Sequence, residues 1–317
     1  MTGMFNAQST TDEVLEGVDL SGKRFLITGV SSGLGVETAR ALVAHGASVT
    51  GAVRDLAKAH AATDEVREAA ASGGGQFSLI ELDLASLSSV RSCADKLVHS
   101  GAKFDVVIAN AGVMATPFGY TADGFETQFG TNHLGHFLLV NRIAPLINDG
   151  GRLVNLSSAG HRISDVDLED PDFEHTPYDP WIAYGRSKTA NVLFAVEFDR
   201  RHQHRGVRAC ALMPGAIATN LGRHLTESAI EDLIRGMKEA GAPDLVYKTI
   251  PQGAATTVWA AAVAGDQEIG GKYCEDCGVA PVTDGEGIRY GAKAYALDSD
   301  RASALWDVSE EMVGERF

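Results

Sequence analysis

The strongest structural constraint in this chain lies near its N-terminus, where an apolar run leads through a glycine-rich turn into an amphipathic segment. The run covers Arg24–Thr28, the turn reads GVSSGLG over Gly29–Gly35, and the helical segment spans Val36–His45. Glycines permit a tight turn and let a pyrophosphate approach the backbone, where N–H groups at a helix N-terminus bind the anion. An ordinary βα loop is the alternative, but a second strand expected at Ser48–Val53 favours nucleotide binding.

Strand-like and helix-like segments alternate along the rest of the chain. Further strands are predicted at 76–82, 106–109, 152–156 and 207–212 and from residue 271 onward, and helices at 87–98, 125–143, 184–203 and 254–264. Repeated β and α units favour a doubly wound, Rossmann-like α/β fold, in which helices cover both faces of a parallel sheet. We expect a single dinucleotide-binding catalytic domain over residues 21–317, preceded by a loosely packed N-terminal arm at residues 1–20.

Tyr184 and Lys188 stand four residues apart, so both side chains reach the same face of a helix. A free tyrosine has a pKa of about 10, but a neighbouring lysine cation stabilises the phenolate and lowers that pKa. Such a pair can pass a proton to or from an alcohol or carbonyl oxygen. Chance is the better explanation for the pair alone, whereas the glycine-rich turn upstream favours a catalytic role.

The charge and the cysteines argue against several classes of function. A net charge of −15 over 317 residues argues against nucleic acid or an anionic membrane as the main partner. Cys274 and Cys277 form a C-x-x-C pattern, but no second pair or nearby histidine completes a zinc ligand set, so no metal site is predicted. Neither a signal pattern nor a run of ~20 apolar residues is evident, and we expect a cytoplasmic protein without a membrane span.

Six motifs follow one another along the chain. They are Thr28-Gly29-x-x-x-Gly33-x-Gly35, Asn110-Ala111-Gly112, Asn132, Ser158, Tyr184-x-x-x-Lys188 and Pro214-Gly215-x-x-x-Thr219. Their order resembles the short-chain dehydrogenase/reductase family over about residues 20–275. Segments 17–23, 52–55, 132–137 and 190–194, with the long gap from Ser158 to Tyr184, resemble its retinol dehydrogenase and WW-domain oxidoreductase branch. The resemblance implies hydride transfer between a nicotinamide cofactor and an alcohol or carbonyl.

The resemblance also implies a role for each motif residue. Tyr184 is the general acid in reduction and the general base in oxidation, and Lys188 lowers the pKa of Tyr184 and binds the nicotinamide ribose. Ser158, the second serine of its pair, donates a hydrogen bond to the substrate oxygen, and Asn132 supports a water and a proton path to Lys188. The residues implied to bind the cofactor are Gly29, Ser31, Ser32, Gly33, Leu34, Gly35, Arg54, Asp83, Leu84, Asn110, Ala111, Gly112, Tyr184, Lys188, Pro214, Gly215, Ile217 and Thr219.

The end of the second strand predicts NADP(H) rather than NAD(H) as the cofactor. NAD-preferring relatives usually place an acid where Val53 stands, to bind the ribose hydroxyls. Arg54 offers a fork of donors for a 2′-phosphate, although Asp55 partly offsets its charge. A solvated loop position for Arg54 is the alternative.

The residues expected around the reacting centre predict a mainly apolar alcohol, ketone or aldehyde, with room for a bulky one. The expected walls are Val113, Met114, Ala115, Ala159, Ile217, Leu221, Leu225 and Leu233. Arg223 and His224 leave a carboxylate-bearing substrate open as an alternative. His133 and His136 have no evident carboxylate partner, and we expect packing or solvent roles for them.

A lid is expected at about residues 219–243. A helix start is predicted at Thr226, followed by an apolar stripe at Leu225, Ala229, Leu233 and Met237. This stripe either roofs the substrate or packs on the core.

Two other functions fit the same fold, because a fold does not determine its function. One is a catalytically idle NADP(H)-sensing or scaffold protein, and the complete set of Asn132, Ser158, Tyr184 and Lys188 argues against it. The other is a nucleotide-sugar epimerase or dehydratase, for whose larger C-terminal domain this chain lacks room. A homo-oligomer is compatible with each of these functions.

Overall fold

The computed structural model describes residues 5–225, 235, 246–285 and 290–317. Its strands are β1 (Arg24–Thr28), β2 (Ser48–Val53), β3 (Gln76–Glu81), β4 (Phe104–Ala109), β5 (Ile147–Leu156), β6 (Arg208–Met213), β7 (Ala216–Ile217), β8 (Tyr247–Lys248), β9 (Lys272–Glu275) and β10 (Gly278–Val279). Its α-helices are α1 (Thr11–Leu15), α2 (Leu34–Ala44), α3 (Leu56–Ala62), α4 (Asp64–Gly73), α5 (Leu87–Ser100), α6 (Thr127–Phe129), α7 (Gly135–Ile143), α8 (Pro180–His202), α9 (Ile250–Val258), α10 (Asp266–Ile269) and α11 (Ser299–Val313). Two π segments, Gly130–Leu134 and Trp259–Val263, join α6 to α7 and extend α9. The 3₁₀ turns are Ala144–Leu146, Ala159–Arg162, Gln203–Arg205, Asn220–Gly222 and Ala294–Leu297.

Eight of the described strands form one sheet in the order β10-β9-β6-β5-β4-β1-β2-β3. Neighbours from β9 to β3 pair in parallel, whereas β10 pairs antiparallel with β9. The turn between β9 and β10 contains Asp276 and Cys277, both with positive φ, which is the backbone geometry that a two-residue hairpin requires. The predicted doubly wound parallel sheet is therefore confirmed, with one antiparallel strand at its edge.

The core lies on both faces of the sheet because its central strands are apolar on both sides. On β1, Leu26 belongs to one buried cluster while Phe25 and Ile27 belong to the other. The first cluster takes side chains from α5, α7, α8 and α11, and the second takes them from α2 and α9. Near-continuous apolar runs are typical of parallel strands that are covered on both faces.

The expectation of a loosely packed arm at residues 1–20 is wrong for its described part, residues 5–20. Val14 and Leu15 of α1 are 1% and 0% exposed and join the second core cluster. Thr10 caps α1 in a capping box with Glu13. Asp12 forms an ion pair of 2.7 Å with Arg40 on α2. Apolar burial and this capping hold a terminal segment that had been expected to pack loosely.

The helix that carries Tyr184 and Lys188 begins earlier than expected, at Pro180 rather than at Tyr184. Asp179 caps it by accepting hydrogen bonds from the N–H groups of Trp181 and Ile182, at 2.8 and 2.9 Å. Proline suits the first helical position because its fixed φ is helical and it has no N–H to leave unpaired. The extra turn places Tyr184 inside the helix, away from its fraying end.

No described helix combines the length and the apolar character that crossing a membrane requires.

Candidate active site

Four adjacent strands, β6, β5, β4 and β1, end at the carboxyl edge of the sheet. Pro214, Ser157, Asn110 and Gly29 follow these four strand ends directly. In open α/β sheets this edge is where ligands bind. The fold thus brings motifs from distant parts of the sequence to a single site.

The glycine turn between β1 and α2 leaves no room for a side chain at Gly29 or Gly35. Gly29 has a φ of +79°, and a Cβ at Gly35 would lie 2.3 Å from the Gly29 carbonyl oxygen and 2.7 Å from Asn110 Nδ2. Gly33 is the N-cap residue of α2, and it has no side chain that could accept the first N–H groups of the helix. The N-terminal N–H groups of α2 therefore remain available to an anion.

The turn after β4 is fastened to β1. The N–H groups of Asn110 and Ala111 both donate to Thr28 Oγ1, at 3.0 Å each. Asn110 Nδ2 donates to the Thr28 carbonyl at 2.8 Å. A Cβ at Gly112 would lie 3.1 Å from Asn132 Oδ1 and 3.6 Å from Lys188 Nζ. Residues 110–112 thus run between the glycine turn and the catalytic helix.

Ser158, Tyr184 and Lys188 come together beneath this turn. Tyr184 is 4% exposed, and Lys188 Nζ lies 5.7 Å from its ring centroid. Gly160 packs closely against both Ser158 and Tyr184, since a Cβ there would lie 3.4 Å from Ser158 Oγ and 2.7 Å from Tyr184 Cε1. Ser157 turns away from Tyr184, because its hydroxyl donates to the Lys188 carbonyl at 2.8 Å. Of the two serines, Ser158 is the one placed beside Tyr184.

Asn132 lies in the π segment between α6 and α7 and is fully buried. Its Oδ1 accepts the Val113 N–H at 2.8 Å, and its Nδ2 donates to the Val113 carbonyl at 2.9 Å. The same Nδ2 donates to Ser187 Oγ at 3.0 Å. Asn132 therefore ties the loop after β4 to α8, immediately before Lys188.

The segment after β6 closes over the glycine turn. Gly215 has a φ of +105°, and Ile217 packs against α2 and α9, so that a Cβ at Gly253 would lie 2.5 Å from Ile217 Cγ1. A Cβ at Gly33 would lie 3.4 Å from Thr219 Cγ2. The Ile217 side chain therefore packs between α2 and α9, beside Leu34 and Gly253. Thr219 lies next to Gly33 in the predicted cofactor turn.

The family profile described as short chain dehydrogenase matches residues 23–229. The chain belongs to the short-chain dehydrogenase/reductase family. Members of this family are oxidoreductases that act on CH–OH or C=O groups with NAD(P)(H). The reaction class expected from the motifs is thereby confirmed.

Relatives match nearly the whole chain. The short-chain dehydrogenase/reductase prx1 of Penicillium roqueforti is 38% identical over 325 residues, which cover 98% of this chain and 92% of that protein. Retinol dehydrogenase 14 of Homo sapiens is 37% identical over 309 residues, which cover 93% of this chain and 87% of that protein. The second match confirms the resemblance to the retinol dehydrogenase branch.

Solved structures agree with the fold. A crystal structure from Mycobacterium paratuberculosis has a TM-score of 0.72 and 36% identity, and the match covers 98% of this chain and 99% of that chain. A short chain dehydrogenase from Burkholderia cenocepacia, solved in complex with NADP, has a TM-score of 0.63 over 82% of this chain and 98% of that chain. Its identity of 23% supports the fold alone.

Tyr184 and Lys188 of this short-chain dehydrogenase/reductase ionise differently from the sequence-based expectation. Burial raises the pKa of Tyr184 to about 12, and an interaction with the Ser158 hydroxyl opposes this rise. Burial also lowers the pKa of Lys188 to about 8. Lys188 Nζ donates to the Leu156 carbonyl at 3.0 Å. In the protein alone, desolvation is the dominant cause, and the Tyr184 pKa is raised where a lowering was expected.

The remaining predicted cofactor residues lie in the glycine turn, at the start of α2 and after strands β2 and β3. Ser31, Ser32 and Leu34 lie within the turn or at the first position of α2, and Arg54 follows β2 with an exposed side chain. Asp83 follows β3 and accepts the Ala85 N–H at 3.0 Å. Leu84 is buried against Gly135, where a Cβ would lie 2.5 Å from the Leu84 carbonyl. Leu84 thus supports the start of α7.

The predicted lid lies mainly outside the described residues. Residues 219–225 are described and contain the turn Asn220–Gly222, with Arg223 and His224 exposed. The predicted helix start at Thr226 and the stripe residues Ala229, Leu233 and Met237 fall within 226–234 and 236–245, which are not among the described residues.

Sequence reasoning missed Gln128, a buried residue of α6. Its Oε1 accepts the N–H of Ala115, a non-glycine residue with a φ of +46°. Its Nε2 donates to Tyr178 Oη and to the Pro180 carbonyl, at 3.0 and 2.9 Å. Gln128 therefore joins the predicted substrate wall at Ala115 to the start of α8. A lone glutamine in an amphipathic helix carries no sequence signal for this role.

Proposed function

We propose that this protein is an NADP(H)-dependent oxidoreductase that interconverts a mainly apolar alcohol and its ketone or aldehyde. The observation that carries the proposal is that Ser158, Tyr184 and Lys188 lie close together although they come from separate segments. Gly160 packs against Ser158 and Tyr184, and Lys188 lies near both the Tyr184 ring and Gly112. One hydroxyl, one phenol and one ammonium group at the ligand-binding edge of the sheet are the groups that such a proton transfer needs.

The residues present fit a dinucleotide. A Cβ at Gly35 would clash with the Gly29 carbonyl and with Asn110. Because glycine has no Cβ, the turn can close and a pyrophosphate can approach its backbone. The glycine turn and the N-terminus of α2 would bind the phosphates, and Lys188 would bind the nicotinamide ribose. Pro214, Gly215 and Thr219 would border the cofactor on the side of β6. When bound, the nicotinamide supplies or accepts the hydride.

The protein's own residues manage the proton. With its pKa raised to about 12, Tyr184 is a neutral phenol at pH 7 and can donate its proton to the substrate oxygen as that oxygen becomes an alkoxide. Ser158 donates a second hydrogen bond to the same oxygen. The Lys188 ammonium then stabilises the phenolate that remains on Tyr184. In the oxidation direction the same groups act in reverse.

The preference for NADP(H) is supported by the end of β2. Val53 is 3% exposed and cannot bind ribose hydroxyls. Asp55 Oδ1 accepts the Lys58 N–H at 2.9 Å and so caps α3. This bond engages the carboxylate that would otherwise compete for an anion site, and the neighbouring exposed Arg54 is left to bind a 2′-phosphate.

The preference for an apolar substrate is supported by the residues around Tyr184. Val113, Met114 and Ala159 are half-buried near the catalytic groups, whereas Arg223 and His224 are exposed. Comparing kcat/KM for matched apolar and carboxylate-bearing ketones tests this preference. We expect the apolar ketones to be favoured, because a charged group gains no partner against these walls. A clear preference for the carboxylates would contradict it.

We also propose a cytoplasmic setting. All four cysteines, Cys93, Cys210, Cys274 and Cys277, are buried and free. Free thiols are typical of a reducing compartment.

The test of the reaction itself is Tyr184→Phe, which removes one oxygen from the site. We expect a folded protein that binds NADPH but loses at least about 10²-fold in turnover of a carbonyl panel. Tyr273→Phe is the matched control, since Tyr273 is 1% exposed and its hydroxyl has no hydrogen-bond partner among the described residues. Equal turnover in Tyr184→Phe and the wild type would refute the assignment. Tight NADPH binding without turnover by the wild type would favour the idle alternative.

A further inference from the structure

We propose that His136 is a positioning residue that locks the Asn132 carbonyl to Thr28 and so sets the catalytic helix against the cofactor turn. The proposal rests on the proposed function, because it assigns His136 to the same reaction. His136 is the second residue of α7, directly after the π segment that contains Asn132, and is fully buried. No motif considered in the sequence gives it this role.

Both ring nitrogens of His136 are engaged. Nδ1 lies 2.9 Å from the Asn132 carbonyl oxygen, and Nε2 lies 2.8 Å from Thr28 Oγ1. A single imidazole therefore connects the end of β1 to the π segment, and its contact with Thr28 joins two residues 108 positions apart in the sequence.

The partners select a single tautomer. The Asn132 carbonyl has no proton, so Nδ1 must carry the hydrogen and donate it. Thr28 Oγ1 already accepts the N–H groups of Asn110 and Ala111, which occupy its two lone pairs. Its own proton is then free to be donated to Nε2. Neutral His136 with hydrogen on Nδ1 satisfies every group in this chain of bonds.

The bridge ends beside the reacting groups. The Asn132 side chain bonds Val113 and Ser187, and its Oδ1 lies next to Gly112, which in turn neighbours Lys188 Nζ. At the other end, Thr28 supports the turn at Asn110. A shift of Asn132 would therefore displace Gly112, which lies beside Lys188. Displacements of about 1 Å in an active site can cost about 10²-fold in rate.

The protonation state of His136 agrees with this role. Burial, with a smaller contribution from the nearby Lys188 charge, lowers its pKa to about 4, although the bond to Asn132 opposes the shift. The imidazole therefore stays neutral at neutral pH, and its acceptor nitrogen remains available to Thr28. His133 provides the natural comparison. It is 1% exposed on the preceding turn, and its Nε2 lies 2.7 Å from Ser309 Oγ on α11, away from the site.

Kinetics on four variants separate positioning from structural support. We expect His136→Phe to lower kcat per folded molecule by about 10–100-fold while KM and the NADPH Kd stay within about threefold. His136→Asn, whose amide can replace Nδ1 at the Asn132 carbonyl but does not reach Thr28, should leave kcat low. His136→Gln, whose longer amide reaches only towards Thr28, should leave it low as well, because neither side chain spans both partners. His133→Phe should lower thermal stability and leave kcat per folded molecule unchanged.

Two results would overturn the proposal: an unchanged kcat in folded His136→Phe, or wild-type kcat in the Asn or the Gln variant, each of which can make only one of the two contacts. A second measurement does not depend on turnover. Nitrogen-15 NMR of the imidazoles should show His136 as the neutral tautomer with hydrogen on Nδ1 from pH 5 to 8. Hydrogen on Nε2, or titration within that range, would refute the bridge. An inactive wild type with the expected tautomer would instead count against the proposed function and leave the bridge in place.

Discussion

Gly35→Ala tests the cofactor cradle most sharply, because the structure gives the size of the clash. The added Cβ would lie 2.3 Å from the Gly29 carbonyl oxygen, whereas ordinary contact begins at 3.4 Å. The turn would have to open by about 1 Å, which lengthens an N–H···O bond from about 2.9 Å to beyond its useful range. Each charge-assisted bond to a phosphate contributes about 1.5–3 kcal/mol. Losing one therefore raises the Kd for NADPH by about 10–100-fold.

The stability of Gly35→Ala should change less than its affinity. Alanine gains about 0.5–1 kcal/mol over glycine in a helix, while overpacking costs about 1–3 kcal/mol. We expect a net loss of about 1–2 kcal/mol, measured by urea unfolding beside a fluorescence titration with NADPH. Gly278→Ala is the control, since the nearest atom to its Cβ would be 3.9 Å away. A folded Gly35→Ala protein with a Kd within twofold of wild type would refute the reasoning.

Three further predictions concern charge. The pKa of Lys188 is lowered from 10.5 to about 8, so between these values the unfolded chain binds a proton that the native protein has released. Wild-type stability should rise relative to Lys188→Met from pH 8 to 10, by up to about 1.4 kcal/mol per pH unit; parallel urea curves would contradict this. Arg54→Ala should raise the NADPH Kd about tenfold and leave that for NADH unchanged, and an unaltered NADPH affinity would exclude the 2′-phosphate role. His133 has a pKa lowered from 6.5 to about 3, so wild-type stability should fall more steeply than that of His133→Phe as pH drops from 6.5 to 4. Urea midpoints at pH 7 and 5 measure this difference, and equal shifts would disprove it.

The motifs predicted the sheet and the neighbourhood of the site because both depend on local patterns. The run at Arg24–Thr28 and the glycines after it define a strand and a turn by composition alone. The spacing of Tyr184 and Lys188 places both on one helical face wherever the helix begins. The start at Pro180 was missed because it depends on the Asp179 cap, which the spacing of Tyr184 and Lys188 does not indicate.

The packing of the arm and the ionisation of the site depend on neighbours that are remote in sequence. Val14 and Leu15 are short apolar interruptions of an acidic segment, and only α2 and α9 make them core residues. The pKa of Tyr184 follows from its burial, which no spacing with Lys188 reveals. A charge four residues away can be read from the sequence, whereas the loss of water around it cannot.

The sequence by itself determined the strand–turn–helix unit, the order of the motifs and the family to which they belong. These features arise from residue type and from the periods of helix and strand, which are local properties. The tertiary structure alone decided that the Ser157 hydroxyl turns away from Tyr184 and bonds the Lys188 carbonyl. It also decided that Thr28, His136 and Asn132 form one chain of hydrogen bonds. The physical reason is that a hydrogen bond depends on position and direction to within a fraction of an ångström, and folding brings such groups together from segments that share no local pattern.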